Sequence, residues 1–158
     1  MAITFELEEV FAAAPQHVFE TLTGLEGAAG WMPNLVRIEK LTEGPFGTGT
    51  RWREIRKLFG REASEEFEVK GFAPHRELEL HVDGTKGTSR RGYYRFHYTL
   101  ERVDGGTRLK LTGEVGGMGS LGDLIGRLFA GSYRSAILKD LQALKAYLEA
   151  QAAARPLN

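Results

Sequence analysis

Two charged residues on neighbouring predicted strands are the part of this sequence best suited to chemistry. Arg56 lies in one charge-rich predicted strand, and Glu65 lies in the next. Glu65 alternates in step with Phe67 and Val69, which places its carboxylate on the inward, apolar face of that strand. A buried carboxylate needs a partner, and either Arg56 or Arg53 could supply one. Such a pair could orient a polar group of a ligand, or it could be a structural salt bridge.

The predicted strand that contains Arg56, residues 50–59, is dense in charge, and neither of its faces is cleanly apolar. One interpretation is an exposed or edge strand protected by charge. The other places one or two of its charged side chains inside a cavity. The sequence leaves both interpretations open, and it does not indicate which of the charged residues face inward.

A second candidate group is aromatic. Tyr94, Phe96 and Tyr98 alternate along one face of a predicted strand, while Trp31 and Tyr133 supply further aromatic surface. Phe96 suits a plain core position, but two tyrosine hydroxyls on an inward face each need a polar partner. A cavity that holds water or a ligand would provide one.

Other kinds of reactive site are not indicated. The chain has no cysteine, its four histidines lie on separate predicted elements, and no metal-binding pair of histidines occurs. No G-x-S-x-G nucleophile motif is present. Gly117, Gly119 and Gly122 form a G-x-G-x-x-G pattern, but no strand follows the helix after it, as a dinucleotide site requires. We therefore expect no metal, nucleotide or other cofactor.

The elements that position these residues follow from hydrophobic periodicity. A strand from Ile3, with a bulge expected after Glu8 and Glu9, precedes two short helical segments. A meander of strands follows, and a long amphipathic helix over residues 120–151 ends the chain. We predict one α+β domain over residues 1–151, in which a curved antiparallel sheet of about seven strands wraps around the C-terminal helix and leaves a hollow. Residues 152–158 are expected to fray.

Glycines weaken the first half of the long predicted helix. Gly119, Gly122, Gly126 and Gly131 fall in this half, and each costs a helix about 1 kcal/mol relative to alanine. The half that begins near residue 136 contains no glycine. We therefore expect residues 118–131 to be the segment that opens to admit a ligand.

Composition limits the partners of the chain. Twenty-one basic residues balance 21 acidic residues among 158, so no overall field favours nucleic acid or an anionic membrane. The N-terminus lacks the basic start and apolar core of a signal peptide. The most apolar stretch, residues 118–131, is too short to span a bilayer and carries Asp123 and Arg127. We expect a cytoplasmic protein without nucleic-acid binding or stable membrane insertion, and the sequence indicates no oligomeric state.

Short motifs in a fixed order carry a family resemblance. Residues 14–19, A-P-Q-H-V-F, are similar to the A-P-x-x-V-[WF] that opens a first helix, and residues 31–33, W-M-P, to a following W-x-P. A glycine turn at residues 47–49 and the hairpin of residues 96–109 complete the set. In these motifs the chain resembles the START-like helix-grip superfamily, also called SRPBCC, and within it the polyketide cyclase/dehydrase and lipid-transport branch. The resemblance implies the helix-grip fold, but this scaffold hosts binders, carriers, cyclases and regulators.

Three functions are compatible with that resemblance. The leading expectation is a binder of a small hydrophobic molecule, such as a lipid, an isoprenoid or an aromatic polyketide. An alternative is a cyclase, aromatase or dehydrase, in which Glu65, Tyr94, Tyr98 or Arg56 would act as acid or base, although no residue is assigned a catalytic role. The third is a protein-interaction module, related to chaperone- or ribosome-associated members, that uses the basic segments 51–61 and 86–91. The predicted ligand contacts are Trp31, Arg56, Glu65, Phe67, Leu80, Tyr94, Phe96, Tyr98, Ile125, Phe129 and Tyr133.

Overall fold

The structure is a computed structural model that describes residues 2–154, without the side chains of residues 121–123, 125–130, 132 and 133. The strands are β1 (Ile3–Phe11), β2 (Leu35–Lys40), β3 (Arg51–Leu58), β4 (Arg61–Ala73), β5 (Glu77–Asp83), β6 (Tyr93–Val103) and β7 (Gly106–Gly116). The helices are α1 (Pro15–Thr23) and α2 (Gly119–Ala154), with 3₁₀ turns at Leu25–Gly30 and Gly84–Lys86.

All seven strands form one antiparallel sheet in the order β1-β7-β6-β5-β4-β3-β2. The N-terminal strand therefore closes one side of the meander, and β2 forms the opposite edge. Irregular pairing interrupts β2 near Leu35 and β4 near Gly71, which are places where a sheet can bend. The predicted α+β helix-grip architecture is confirmed.

The second half of α2 docks on the sheet through an apolar stripe. Leu141, Leu144 and Leu148 are all buried, and they belong to the same core cluster as Leu109 and Leu111 of β7. Their spacing of three and four residues places them on one side of the helix. This packing anchors the C-terminal half of α2 against the sheet.

Strand β1 is regular along its whole length, which corrects one expectation. Its pairing with β7 runs without interruption from Ile3 to Phe11, so the bulge predicted after Glu8 and Glu9 is wrong. Glu9 instead occupies an inward position of the regular strand. Its carboxylate accepts a hydrogen bond from Lys145 Nζ of α2 at 2.9 Å. An ion pair with the helix satisfies the carboxylate, so the strand does not need to change register.

Strand β3 corrects a second expectation, which concerns the position of its charged residues. It lies between β2 and β4, so the edge-strand interpretation of its charges is wrong. Trp52 and Glu54 are buried on its inner face, whereas Arg53 lies on the opposite face by strand alternation. The alternative interpretation, with charged side chains inside the fold, is the one that the structure follows.

The turn between β3 and β4 places a bulky residue in an unfavourable conformation. Phe59 and Gly60 both have positive φ, 49° and 77°, as a tight two-residue hairpin requires. The Phe59 ring is fully exposed, so it contributes no packing. Because asparagine tolerates this conformation better, Phe59→Asn should raise the free energy of unfolding by about 0.5–1 kcal/mol. Urea denaturation would measure the difference. Phe59→Ala, which keeps the β-carbon, should stay near wild type, and equal stability of the two variants would contradict the explanation.

Candidate functional site

A cavity of about 250 Å³ lies between the inner face of the sheet and α2. One wall comes from β3, β4, β5 and β6. The opposite side comes from Leu25 and Trp31, near the first 3₁₀ turn, and from Ile137 and Leu141 of α2. Most of the lining is apolar, with a few polar groups among it, which is the usual character of a small-molecule site.

Eight of the eleven predicted ligand contacts line this cavity together. They are Trp31, Arg56, Glu65, Phe67, Leu80, Tyr94, Phe96 and Tyr98. The side chains of Ile125, Phe129 and Tyr133 lie outside the described residues, as do most side chains of the segment predicted to open. The structure thus brings the eight side chains to one place, and their contact with a ligand stays a prediction.

The aromatic part of the wall is ordered by cross-strand pairing. Trp52 of β3 lies opposite Phe67 of β4, and the two rings stack with centroids 5.3 Å apart and planes within 5°. The indole nitrogen of Trp31 is buried and has no hydrogen-bond partner among the described residues. A buried N–H without an acceptor is costly. A ligand oxygen that accepted this hydrogen bond would therefore gain affinity.

Arg56 holds together an ionic cluster in which Glu54 is buried and Arg56 and Asp140 are mostly buried. Its two Nη atoms donate to the carboxylate of Asp140 on α2 at 2.8 and 2.9 Å. Its Nε donates to Glu54 at 2.5 Å. The cluster joins β3 to α2 beside the apolar cavity and fixes the arginine in a bidentate geometry.

The pairing predicted for Glu65 is wrong. Among the described residues, Glu65 forms no ion pair with Arg56 or with Arg53. The β3–β4 register sets Glu54 opposite Glu65 and places Ala63 opposite Arg56. The arginine therefore reaches along its own strand and across to the helix, and two carboxyl groups face each other across the sheet.

Burial and neighbouring charges shift the pKa values of the residues in and beside the ionic cluster. Burial raises the pKa of Glu54, and the charge of Arg56 partly opposes this. Burial by itself would lower the pKa of Arg56, but the carboxylates of Asp140 and Glu54 outweigh it and raise the pKa above its usual value. Burial, aided by the same two carboxylates, raises the pKa of Tyr98. At neutral pH the cavity therefore presents a charged guanidinium and a neutral phenol.

Glu65 is the carboxyl group of the cavity that lacks a full set of partners. Its Oε2 atom is buried without a hydrogen-bond partner among the described residues. A β-carbon at position 87 would clash with this atom, so Gly87 leaves room for the carboxyl. Burial raises the pKa of Glu65 to about 7, with a smaller opposing effect from Ser89 and a further increase from Glu54. The group can exchange a proton near neutral pH.

This pKa makes stability depend on pH with a defined sign. The pKa of Glu65 is about 7 in the folded protein against an ordinary value of 4.5, so the folded state binds the proton more tightly. Its contribution is most favourable below the ordinary value and is lost as pH rises through 7. Glu65→Gln should therefore raise the free energy of unfolding at pH 8 by about 1–2 kcal/mol, reduced by partial solvent contact, and change little at pH 4.

Urea denaturation at the two pH values would measure this effect. Glu62→Gln, at an exposed position of the same strand, is the matched control. An effect of Glu65→Gln that is the same at both pH values would contradict the assignment of the raised pKa to this carboxyl.

Three basic residues outside the cavity share the carboxylate of one glutamate. Arg51, Arg53 and Lys86 approach the carboxylate of Glu66 at 3.3, 3.8 and 3.6 Å. Glu66 is itself mostly buried. The run of positive charge in the sequence is therefore divided between the two faces of the sheet.

Two further findings concern the described part of the chain. Among the described residues, no group of three histidine, cysteine, aspartate or glutamate side chains is arranged to hold a metal ion. Within residues 2–154, no helix is both long and apolar enough to cross a membrane. The expected absence of a metal or cofactor stays a prediction.

The sequence of this chain matches one known protein family. The family model described as "Polyketide cyclase / dehydrase and lipid transport" matches residues 2–149. The chain belongs to this family. The match covers nearly the whole sequence, and it confirms the resemblance that the short motifs indicated. No protein with a curated description matches the sequence.

Solved structures similar to this member of the polyketide cyclase/dehydrase and lipid transport family share its whole fold. The Zhui aromatase/cyclase from Streptomyces sp. R1128 has a TM-score of 0.79 at 19% identity, covering 98% of both chains. A protein from Thermus thermophilus gives 0.76 at 18% identity, covering 97% of this chain and 100% of its own. Ara h 8.0201 gives 0.73 at 20% identity, covering 95% and 99%. At these identities the likeness establishes the fold alone.

Trp52, Glu54 and Asp140 are among the lining residues of this family member that were missing from the predicted contacts. Trp52 and Glu54 share a face with Arg56 by strand alternation, so the pattern that predicted one contact also indicated the other two. Asp140 falls on the apolar stripe of α2, where a lone carboxylate is unusual. Its position there was the available sign of a buried ionic contact.

Proposed function

We propose that this protein binds a small, largely apolar molecule in the cavity between the sheet and α2. The observation that carries the proposal is an aromatic wall interrupted by a few polar groups that converge on one space. Membership of a family described by cyclase, dehydrase and lipid transport supports a role in binding hydrophobic ligands or in cyclisation.

Affinity for such a ligand would come mainly from its apolar surface. Each square ångström removed from water contributes about 25 cal/mol, and the rings of Trp52, Phe67 and Phe96 provide contact area. Orientation would come from the polar groups, since the Trp31 indole can donate a hydrogen bond and the Tyr98 hydroxyl can donate or accept one. Lipids, isoprenoids and aromatic polyketides all have the required apolar body.

A second candidate function is a reaction of the cyclase, aromatase or dehydrase type. The observation that favours it is Glu65, a carboxyl group with a pKa of about 7 inside the cavity. A group that titrates near the working pH can both remove and return a proton. If turnover of a polyketide-like substrate is found, Glu65→Gln should reduce kcat more than it changes KM.

A protein-interaction role has less support from the described surface. It would use the basic segments 51–61 and 86–91, but the carboxylate of Glu66 is shared by Arg51, Arg53 and Lys86. Compensated charges of this kind present little net field to an acidic partner.

Native mass spectrometry of freshly purified protein would test the proposed function. We expect a fraction of molecules to carry an additional mass in the range of a lipid or isoprenoid, released on denaturation. If the cavity is emptied during purification, titration with a fluorescent naphthyl compound would show whether the protein binds a hydrophobic probe. A protein that carries no ligand and binds no hydrophobic probe would contradict the proposal.

A further inference from the structure

Carboxyl groups outnumber cationic groups among the described residues that line the cavity. Among the described lining residues, Arg56 is a single cation, whereas Glu54, Glu65 and Asp140 are three carboxyl groups. The arginine is already engaged, because Asp140 takes both Nη atoms, Glu54 takes Nε, and the carbonyl oxygen of Pro33 lies 3.4 Å from Nη1. An anionic ligand would therefore find no unengaged cation on the described wall.

One acceptor on the same wall is unengaged. Glu65 Oε2 is buried without a hydrogen-bond partner among the described residues, and Glu65 lies directly opposite Glu54 in the β3–β4 register. Side chains of directly opposed residues are close enough to contact one bound group together. A buried carboxylate oxygen without a donor is costly, and a ligand that supplies a charged donor would remove that cost, whereas a ligand without a donor would not.

We infer that the ligand of this cavity is a hydrophobic amine, whose protonated nitrogen binds at the Glu54–Glu65 pair while its apolar body packs against the aromatic wall. A charged N–H donor forms the stronger class of hydrogen bond with a carboxylate. The stacked rings of Trp52 and Phe67 add a surface that also attracts cations. The inference rests on the proposed function, since it names the ligand class of the same cavity.

The protonation state of Glu65 should govern this preference. The other charged and titratable groups of the described cavity wall are Glu54 and Arg56 from β3, Tyr94 and Tyr98 from β6 and Asp140 from α2. Binding of an ammonium group favours the ionised form of Glu65, so its affinity should fall as the pH decreases from 8 to 5. A neutral ligand with the same body should not show this decrease.

A matched series of three naphthyl compounds tests the inference: 2-(2-naphthyl)ethylamine, 2-(2-naphthyl)ethanol and 2-naphthylacetic acid, titrated calorimetrically at pH 8 and pH 5. At pH 8 we expect the amine to bind the wild-type protein about 10-fold more tightly than the alcohol, the value of one charge-assisted hydrogen bond. The acid should bind most weakly. The ratio of amine to alcohol affinity should fall towards about 1 at pH 5 and, in Glu65→Gln, at pH 8 as well.

The exposed Glu62→Gln variant should keep the wild-type ratio at both pH values. If the alcohol or the acid binds as tightly as the amine, the inference is overturned while the proposed function stands. An amine preference that survives both low pH and Glu65→Gln would also overturn it, because the nitrogen would then bind elsewhere. If none of the three compounds binds, the proposed function fails together with the inference.

Discussion

Arg56→Met should lower the free energy of unfolding by about 3 kcal/mol, the lower end of the range for removing one partner from a buried ion pair, because this cluster is mostly and not fully buried. Glu54 is only 8% exposed, and its carboxylate would then face Asp140 without a cation between them. Methionine fills a similar volume, so the loss would come from uncompensated charge and not from a void. Urea denaturation at pH 7 would measure it.

Arg53→Met provides the matched control on the other face of the same strand. The Arg53 side chain is 39% exposed, and its contacts with Glu39 and Glu66 are both 3.8 Å long. Exposed pairs of this kind contribute about 1 kcal/mol or less. The loss in Arg56→Met should also diminish at lower pH, since burial raises the pKa of Glu54 and protonation removes the uncompensated charge. Equal losses in the two variants would contradict the structural role given to the cluster.

Leu80→Trp should reduce the affinity for a naphthyl ligand at least about 100-fold, which corresponds to about 2.7 kcal/mol. Leu80 lies in the middle of the inner face of β5, paired with Val69 on one side and Phe96 on the other. The larger side chain cannot spread sideways between these neighbours, so it must project into the cavity. Fluorescence or calorimetric titration would measure the loss, and circular dichroism would confirm that the variant is folded.

His81→Trp is the control for this variant, because it places the same side chain at the next residue, on the outer face of the sheet. It should bind the naphthyl ligand within about threefold of the wild-type affinity. Retention of wild-type affinity by Leu80→Trp would mean that the hydrophobic ligand does not occupy the cavity.

Strand alternation identified the inward-facing residues of the cavity wall most clearly where the alternation is clean. Along β6 the apolar and polar residues alternate without exception near Tyr94 and Phe96, so the inward set could be identified from the pattern alone. Along β3 both faces carry charge, and the same reasoning could not decide between an exposed strand and a cavity wall. Burial there depends on partners from other elements, which a local pattern does not contain.

The wrong pairing of Glu65 has a physical cause in the turn. A two-residue connection through Phe59 and Gly60 pairs Leu58 with Arg61, and this fixes Glu54 opposite Glu65. Phenylalanine is not a residue that marks such a turn, so the register was not evident from the sequence. Asp140 was missed for a related reason, since its contact with Arg56 joins residues 84 positions apart.

The short family motifs predicted the fold, but they do not specify a ligand. They mark turns and helix starts, which are common to the whole scaffold, whereas the charges that distinguish this cavity lie between them at Glu54, Arg56 and Glu65. Function on a shared fold resides in such site residues. The ligand class therefore has to be argued from the charges and unengaged polar atoms of this chain.

The two tryptophans offer the most direct test of a ligand in the cavity. Trp31 and Trp52 are the two tryptophans of the chain, and both line the cavity. Their indole N–H groups should give two cross-peaks in a ¹H–¹⁵N correlation spectrum, well separated from the backbone signals. On titration with 2-(2-naphthyl)ethylamine, we expect both cross-peaks to shift with the same saturating dependence on ligand concentration. Saturable binding that leaves both indole cross-peaks unmoved would place the ligand elsewhere on the protein and contradict the account.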